Sequence, residues 1–193
     1  MFSLKESLKI LKETSALIEG HFILSSGLHS PKYIQCAQLM SKPNEANKIC
    51  LSLAEKIKKE FSDFDLILSP AMGGILVAYE LGKLLNKDNI FSERVNGEFQ
   101  LRRGFKINKN SKVLIVEDVI TTGKSSLECS NLVTANDAII IGYACIINRS
   151  NGKSEIKEKI VSQVELNIPT YTKNNIPEDL SIINPIKPGS RNL

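Results

Sequence analysis

Val113-Leu114-Ile115-Val116-Glu117-Asp118-Val119-Ile120-Thr121-Thr122-Gly123-Lys124-Ser125 is the stretch from which the rest of the chain can be read. Its first four residues are a continuous apolar run, the pattern of a parallel strand buried on both faces. Two adjacent acids follow, and in open α/β sheets ligands gather beyond the C-terminal ends of the strands. Residues 121–125 then supply hydroxyls and a glycine at the start of a helix expected over 125–134. Free backbone N–H groups at a helix start hold phosphate without a base or a metal. Gly123 permits close backbone approach or an unusual dihedral. Lys124 either adds positive charge or points to solvent. Strand, acid pair and phosphate cradle in that order imply an α/β protein that handles a phosphorylated sugar. The Gly-Lys-Ser triplet does not complete a nucleoside-triphosphate loop, which needs a glycine five residues before Gly123; Asp118 stands there.

The 193 residues suffice for one core, with room for a small subdomain. With 25 basic and 21 acidic residues the formal charge is +4, mild enough to suit an anionic small substrate and no sign of nucleic acid. Cys36, Cys50, Cys129 and Cys145 are widely spaced and form no Cys-x-x-Cys pair, so neither a zinc site nor a disulfide framework is indicated. A reduced, cytoplasmic setting is expected. The N-terminal MFSLKESLKILKE lacks the apolar core of a secretory signal. No segment reaches membrane-spanning length. Neither nucleic acid nor a membrane is expected as a partner.

Around the central stretch, residues 3–18 place Leu4, Leu8, Leu11 and Ile18 on a helical stripe. Residues 20–40 read as polar and turn-rich. Pro43 suits the start of a helix that carries Ile49, Leu53 and Ile57. Residues 65–69 read as a strand, residues 70–74 as a glycine turn and residues 75–85 as a helix, which makes one βα unit. A short strand is expected at 89–92, and the charged segment 94–110 fits a lid or an extended hairpin. Further strands are expected at 138–147 and 161–166, with a turn at Asn151-Gly152. The proline-bearing tail from Ile168 onward is not expected to form a long helix; it wraps the surface or joins the N-terminal segment.

These residues carry a resemblance. Segment 113–125 resembles the diphosphoribose-binding signature of type I phosphoribosyltransferases. Residues 20–36 (GHFILSSGLHSPKYIQC), 69–74 (SPAMGG), 99–105 (FQLRRGF), 148–153 (NRSNGK) and 187–191 (KPGSR) are similar to the bacterial branch of the orotate phosphoribosyltransferases. The resemblance runs in order along nearly the whole chain. It implies a mostly parallel five-stranded sheet flanked by helices, in one domain with its core at about 43–166. A hood from about 1–40 and 168–193 and a mobile lid at about 93–110 complete the expected layout. It also implies Mg²⁺-dependent transfer of phosphoribose from 5-phosphoribosyl 1-diphosphate to orotate, in pyrimidine (UMP) biosynthesis, by a homodimer with shared active sites.

By the same resemblance, Glu117 and Asp118 position the ribose and stabilise positive charge developing at C1′, an electrostatic role. Val119, Ile120, Thr121, Thr122, Gly123, Lys124 and Ser125 surround the 5′-phosphate. Ala71, Met72 and Gly73 form the diphosphate loop, where many relatives carry a lysine near position 73. Arg149 pairs with the orotate carboxylate, which a guanidinium matches in a planar, bidentate way; Thr121, Tyr33, Ile34 and Ser25 complete the base site. Arg94, Arg102 and Arg103 are the lid residues expected to close over diphosphate. No protein metal ligand is assigned. His21 and His29, which have no metal-ligand spacing, are expected to make local hydrogen bonds. Two alternatives stay open on the residues alone: a phosphoribosyltransferase for another nucleobase, and a regulatory protein that binds phosphoribosyl ligands without turnover.

Overall fold

In the computed structural model, which describes residues 1–188, the chain begins with helix α1 (Leu4–Glu13). A capping box starts it: Ser3 Oγ accepts from the Glu6 backbone N–H, and the Glu6 carboxylate accepts from the Ser3 N–H at 2.8 Å. The buried face is Ser7, Ile10 and Leu11, with Leu8 packed partly against the same core. Two residues of the expected stripe lie off it. Leu4 is exposed in the first turn, and Ile18 is not in the helix at all. The helix stops at Thr14, whose hydroxyl donates back to the Ile10 carbonyl at 2.8 Å, and Ser15 turns the chain at φ 58°.

Ile18 therefore falls in strand β1 (Leu17–Ile23), which pairs antiparallel with β2 (His29–Ile34). The turn-rich segment is thus mostly regular, with a loop only at residues 24–28. A short helix α2 (Cys36–Met40) leads to α3 (Pro43–Glu60). Pro43 sits in its first turn, where a missing N–H costs nothing. Ile49, Leu53 and Ile57 are fully buried on one side of α3.

The two expected βα units follow. β3 (Leu66–Pro70) enters α4 (Gly73–Leu85) and β4 (Asp88–Val95); after β5 (Glu98–Leu101), β6 (Lys112–Ile120) enters α5 (Lys124–Ala135) and β7 (Ile139–Asn148), and β8 (Ile160–Glu165) ends the sheet. The sheet order is β5-β4-β3-β6-β7-β8. Five strands, β3, β4, β6, β7 and β8, are parallel, as the apolar runs imply. The sixth, β5, is antiparallel to β4 and comes from the charged segment. That segment is a hairpin closed by Asn96 and Gly97, both at positive φ, the turn that suits strand twist.

Side chains alternate across a strand, and β6 shows what this does. Leu114 and Val116 join one core with α3 and α4, whereas Val113 and Ile115 join a second core with Cys129 and Val133 of α5. The chain leaves β3 toward β4 on one side and leaves β6 toward β7 on the other, so the winding reverses between β3 and β6. Their pairing covers only Leu66–Leu68 and Val113–Ile115. Beyond it the loops after the two strands face the switch point, where ligands of open α/β sheets lie.

The tail carries only a four-residue helix, α6 (Glu178–Ser181), and returns to the N-terminal hairpin. Ile186 bridges Phe22 and Tyr171 bridges His29. Of the 187–191 motif, residues 189–191 lie outside the described residues, as does the end of the expected hood to 193. Among the described residues no helix is long and apolar enough to cross a membrane.

Candidate active site

β6 runs on to Ile120, well past the apolar run 113–116, so Glu117 and Asp118 lie inside it and alternation sends them to opposite faces. Glu117 faces α5. Its Oε2 accepts a hydrogen bond from Ser126 Oγ at 2.5 Å. Burial pushes the Glu117 carboxyl up to about 7; the Ser126 bond works against that rise, and the neighbouring Asp118 charge adds to it. Asp118 faces α4, and its Oδ1 accepts from the Val119 N–H at 2.9 Å. Burial pushes its carboxyl up too, opposed by backbone hydrogen bonds.

The start of α4 is folded directly onto this strand. A Cβ on Gly73 would lie 2.6 Å from Asp118 Oδ1, and one on Gly74 would lie 2.9 Å from the Val116 carbonyl oxygen. Glycine at 73 is therefore what lets Asp118 sit at the positive end of α4, a favourable place for an anion. Ala71 is tied to β4 through its N–H, which donates to the Ser92 carbonyl at 2.8 Å. Met72 and Gly73 are exposed at the rim of the crevice, Met72 by 82%. The Ala71–Met72 peptide is cis. Ser69, buried beneath this loop, has an Oγ with no hydrogen-bond partner among the described residues.

Across the crevice, Thr121 and Thr122 are exposed and Gly123 caps α5 at φ 82°. A Cβ there would meet Ile156 Cδ1 at 2.9 Å, so both dihedral and space demand glycine. Thr122 Oγ1 accepts from the Lys124 N–H at 3.3 Å, and Ser125 is half-buried in the first turn. Lys124 points outward, 4.0 Å from Glu128. Ile120 is a core side chain and Val119 packs partly against the other core, so only their backbone remains for a ligand.

Arg149 follows β7, and its N–H donates to the Ile120 carbonyl at 2.9 Å, which places it beside Thr121. Its half-buried guanidinium makes no hydrogen bond or ion pair to any described residue, and burial lowers its pKa. A desolvated cation without a counter-charge is a receptor for an anion. In the hairpin, Tyr33 packs on Phe22 with ring centres 5.7 Å apart, and its hydroxyl donates to Gln35 at 3.3 Å. Ile34 leans on the core and Ser25 is exposed in the 24–28 loop. His21 and His29 are buried, with His21 Nε2 2.6 Å from His29 Nδ1 and His21 Nδ1 2.9 Å from the Ile183 carbonyl. A carbonyl only accepts, so His21 Nδ1 is the donor to Ile183. These are the local bonds expected of both histidines.

Two of the three lid arginines, Arg94 and Arg103, are occupied elsewhere. Arg94 donates to the Gly97 carbonyl, pairs with Glu128 of α5 and lies 4.2 Å over the Phe99 ring. Arg103, at φ 58°, grips Glu93 with bonds of 3.0 and 2.8 Å and lies over Phe91. Arg102 is exposed and forms no ion pair among the described residues. The structure does not bring these three to the acid pair. Exposed ion pairs of this kind are screened by solvent, contribute little and exchange readily. Ser126 and Glu128 went unremarked in the sequence, because a serine and a glutamate on a helix carry no signal until their partners are in place.

Two clefts lie away from this crevice. One of about 410 Å³ sits at the opposite end of β3 and β4, lined by Asp65, Lys87 and Lys106. The other, of about 740 Å³, lies behind the 150–159 loop, lined by Asn148, Ser150 and Ile156. Neither contains Glu117, Asp118 or Thr121, so chemistry rather than concavity marks the site. Among the described residues no three His, Cys, Asp or Glu side chains cluster as a metal cage.

Comparison with known proteins bears on this geometry. Residues 38–181 match the family model described as the phosphoribosyl transferase domain. The chain is 42% identical over 188 residues to the orotate phosphoribosyltransferase of Erythrobacter litoralis (strain HTCC2594), with 97% of each chain covered. It is 41% identical over 189 residues to that of Maricaulis maris (strain MCS10), again covering 97% of each. Among solved structures, the orotate phosphoribosyltransferase of Aeropyrum pernix superposes with a TM-score of 0.72 at 24% identity, covering 82% of this chain and 92% of that one. That similarity speaks for the fold.

Proposed function

This chain belongs to the phosphoribosyl transferase family, and from that premise we propose that it is an enzyme transferring phosphoribose from 5-phosphoribosyl 1-diphosphate to orotate, giving orotidine 5′-phosphate and diphosphate for pyrimidine synthesis. One observation carries the choice of base: Arg149, desolvated and without a counter-charge among the described residues, stands beside the phosphate loop. Orotate brings the carboxylate that a guanidinium pairs with bidentately; uracil and the purines do not.

The roles follow from position. The N–H groups of residues 121–125 and the hydroxyls of Thr121 and Thr122 hold the 5′-phosphate at the start of α5. Residues 71–73 line the diphosphate side. As the C1′–O bond breaks ahead of attack, positive charge grows on the ribose, and the charges of Glu117 and Asp118 stabilise it in a partly desolvated place. The orotate nitrogen bonds from the opposite face, with its carboxylate on Arg149 and the ring against Tyr33, Ile34 and Ser25. Arg102 closes over the diphosphate directly, and Arg94 and Arg103 by exchanging their present carboxylates for it, which excludes water. Mg²⁺, a hard cation that prefers phosphate oxygens, would supply charge neutralisation on the donor's diphosphate when bound; no side chain of this chain is assigned to it.

The N-terminal hairpin and the tail form the hood, residues 43–166 the core and residues 93–110 the lid. A homodimer suits the exposed apolar stripe Met72, Leu76 and Tyr79, spaced four and three residues apart along one side of α4. A cytoplasmic setting suits four free cysteines, all buried. The test is a base panel: purified protein, Mg²⁺ and donor, with orotate, uracil and adenine in separate reactions followed by ultraviolet absorbance. Donor-dependent loss of orotate alone is expected. Consumption of uracil or adenine in its place overturns the assignment, and donor binding without turnover of any base points to a regulatory role.

A further inference from the structure

We infer that Ser126 is a positioning residue for this reaction: its buried hydroxyl, fixed in the first turn of α5, holds the Glu117 carboxylate in a single orientation as an anion at the floor of the crevice. Ser126 has no exposed surface, and its Oγ donates to Glu117 Oε2 at 2.5 Å. An O–H···O contact this short is that of a hydroxyl bound to an ionised carboxylate. Serines in a first helical turn commonly bond to nearby backbone; this one reaches across to a strand nine residues earlier. Its place is rigid because the cap before it, Gly123, is held in a left-handed conformation against Ile156. Asp118 points to the other face and has its own donor, the Val119 N–H, so Ser126 acts on one member of the pair only.

The groups around Glu117 leave Ser126 as the residue that decides its charge. On β6 the neighbour is Asp118, whose negative charge disfavours ionisation. On β7 and α5 the neighbours are Cys145 and Cys129, whose thiols burial pushes far up, that of Cys129 to about 12. Both stay neutral at working pH. Glu128 of α5 is committed to Arg94 of the hairpin. Burial and Asp118 both drive Glu117 toward its neutral form, and Ser126 is the side chain that opposes them. Without it the site loses negative charge where the sugar becomes positive.

This inference rests on the proposed reaction for its consequence but not for its test. Protein labelled with ¹³C at the glutamate carboxyls is titrated by NMR, with Glu117 assigned by its disappearance in Glu117→Gln. In Ser126→Ala the Glu117 midpoint is expected to rise by about one pH unit, a tenfold change in proton affinity, while other glutamates stay put. Ser126→Cys, which keeps the size and loses the strong donor, shifts it the same way, and Ser126→Thr restores it. In turnover, Ser126→Ala lowers kcat several-fold at pH 7, recovers at pH 9 and leaves KM for orotate unchanged; in the Glu117→Gln background it has no further effect. A Glu117 midpoint that does not move overturns the inference, as does an equal loss of kcat in both backgrounds. A wild-type protein that consumes no orotate overturns the reaction instead, and leaves the titration to be read.

Discussion

Replacing Gly73 with alanine adds a methyl group 2.6 Å from Asp118 Oδ1, 2.8 Å from Cγ and 2.9 Å from Oδ2. Non-bonded heavy atoms rest at about 3.5 Å or more, so the carboxylate must retreat by roughly 0.5–1 Å. That retreat breaks its 2.9 Å bond from the Val119 N–H. A hydrogen bond to a charged group contributes about 1.5–3 kcal/mol, and that amount lost from the transition state slows turnover about 10- to 100-fold. The backbone itself accepts alanine, since Gly73 is in helix α4 and not among the glycines with positive φ. The expected Gly73→Ala protein therefore melts within about 4 °C of the parent while kcat falls 10- to 100-fold, read by calorimetry and by orotate absorbance. Unchanged kcat would refute the need for Asp118 at this spot. A collapse of Tm in step with activity would make Gly73 a packing residue only. The same clash would meet any larger residue at 73 unless Asp118 moves.

Arg149→Ala removes the counter-charge for the base carboxylate; KM for orotate should rise about 10- to 100-fold, the equivalent of one charged hydrogen-bonded pair, while calorimetric donor binding holds. An equal loss for both ligands contradicts that assignment. Glu117 has a folded pKa near 7 against an ordinary 4.5, so the folded state holds its proton more tightly. Its contribution to stability is then full below pH 4.5 and is lost as pH rises through 7. Glu117→Gln should flatten urea-melt stability between pH 5 and 7.5 and add about 1–3 kcal/mol at the upper end; an undiminished slope assigns the pH dependence to other groups. Gly123→Ala forces a left-handed alanine against Ile156 and should cost about 1–3 kcal/mol in urea melts; a neutral result means the loop relaxes freely.

The parallel core was legible because strands buried on both faces leave unbroken apolar runs, as at 113–116 and 138–147. Pro43 and Gly123 were legible because each satisfies a backbone requirement that few residues meet. Ile18 misled because an apolar residue at helical spacing looks the same after the helix has ended. The hairpin at residues 17–34 was hidden by polar strand residues, including the His21–His29 pair, whose partners come from the distant tail. Asp118 and Glu117 read as one pair, since adjacency in sequence does not reveal that alternation turns them toward different helices. Ser126 and Glu128 show no pattern alone; their meaning lies in contacts across 9 and 34 residues. The lid arginines were visible as charge, but their present partners, Glu128 and Glu93, were not.

A crystal structure of the protein with orotidine 5′-phosphate tests the site most directly. The expected complex has the phosphate on the backbone of residues 121–125, the ribose over Glu117 and Asp118, and the base carboxylate in two hydrogen bonds to Arg149. A nucleotide bound with its phosphate on that loop but its carboxylate away from Arg149, or one seated in the cleft behind the 150–159 loop, contradicts it.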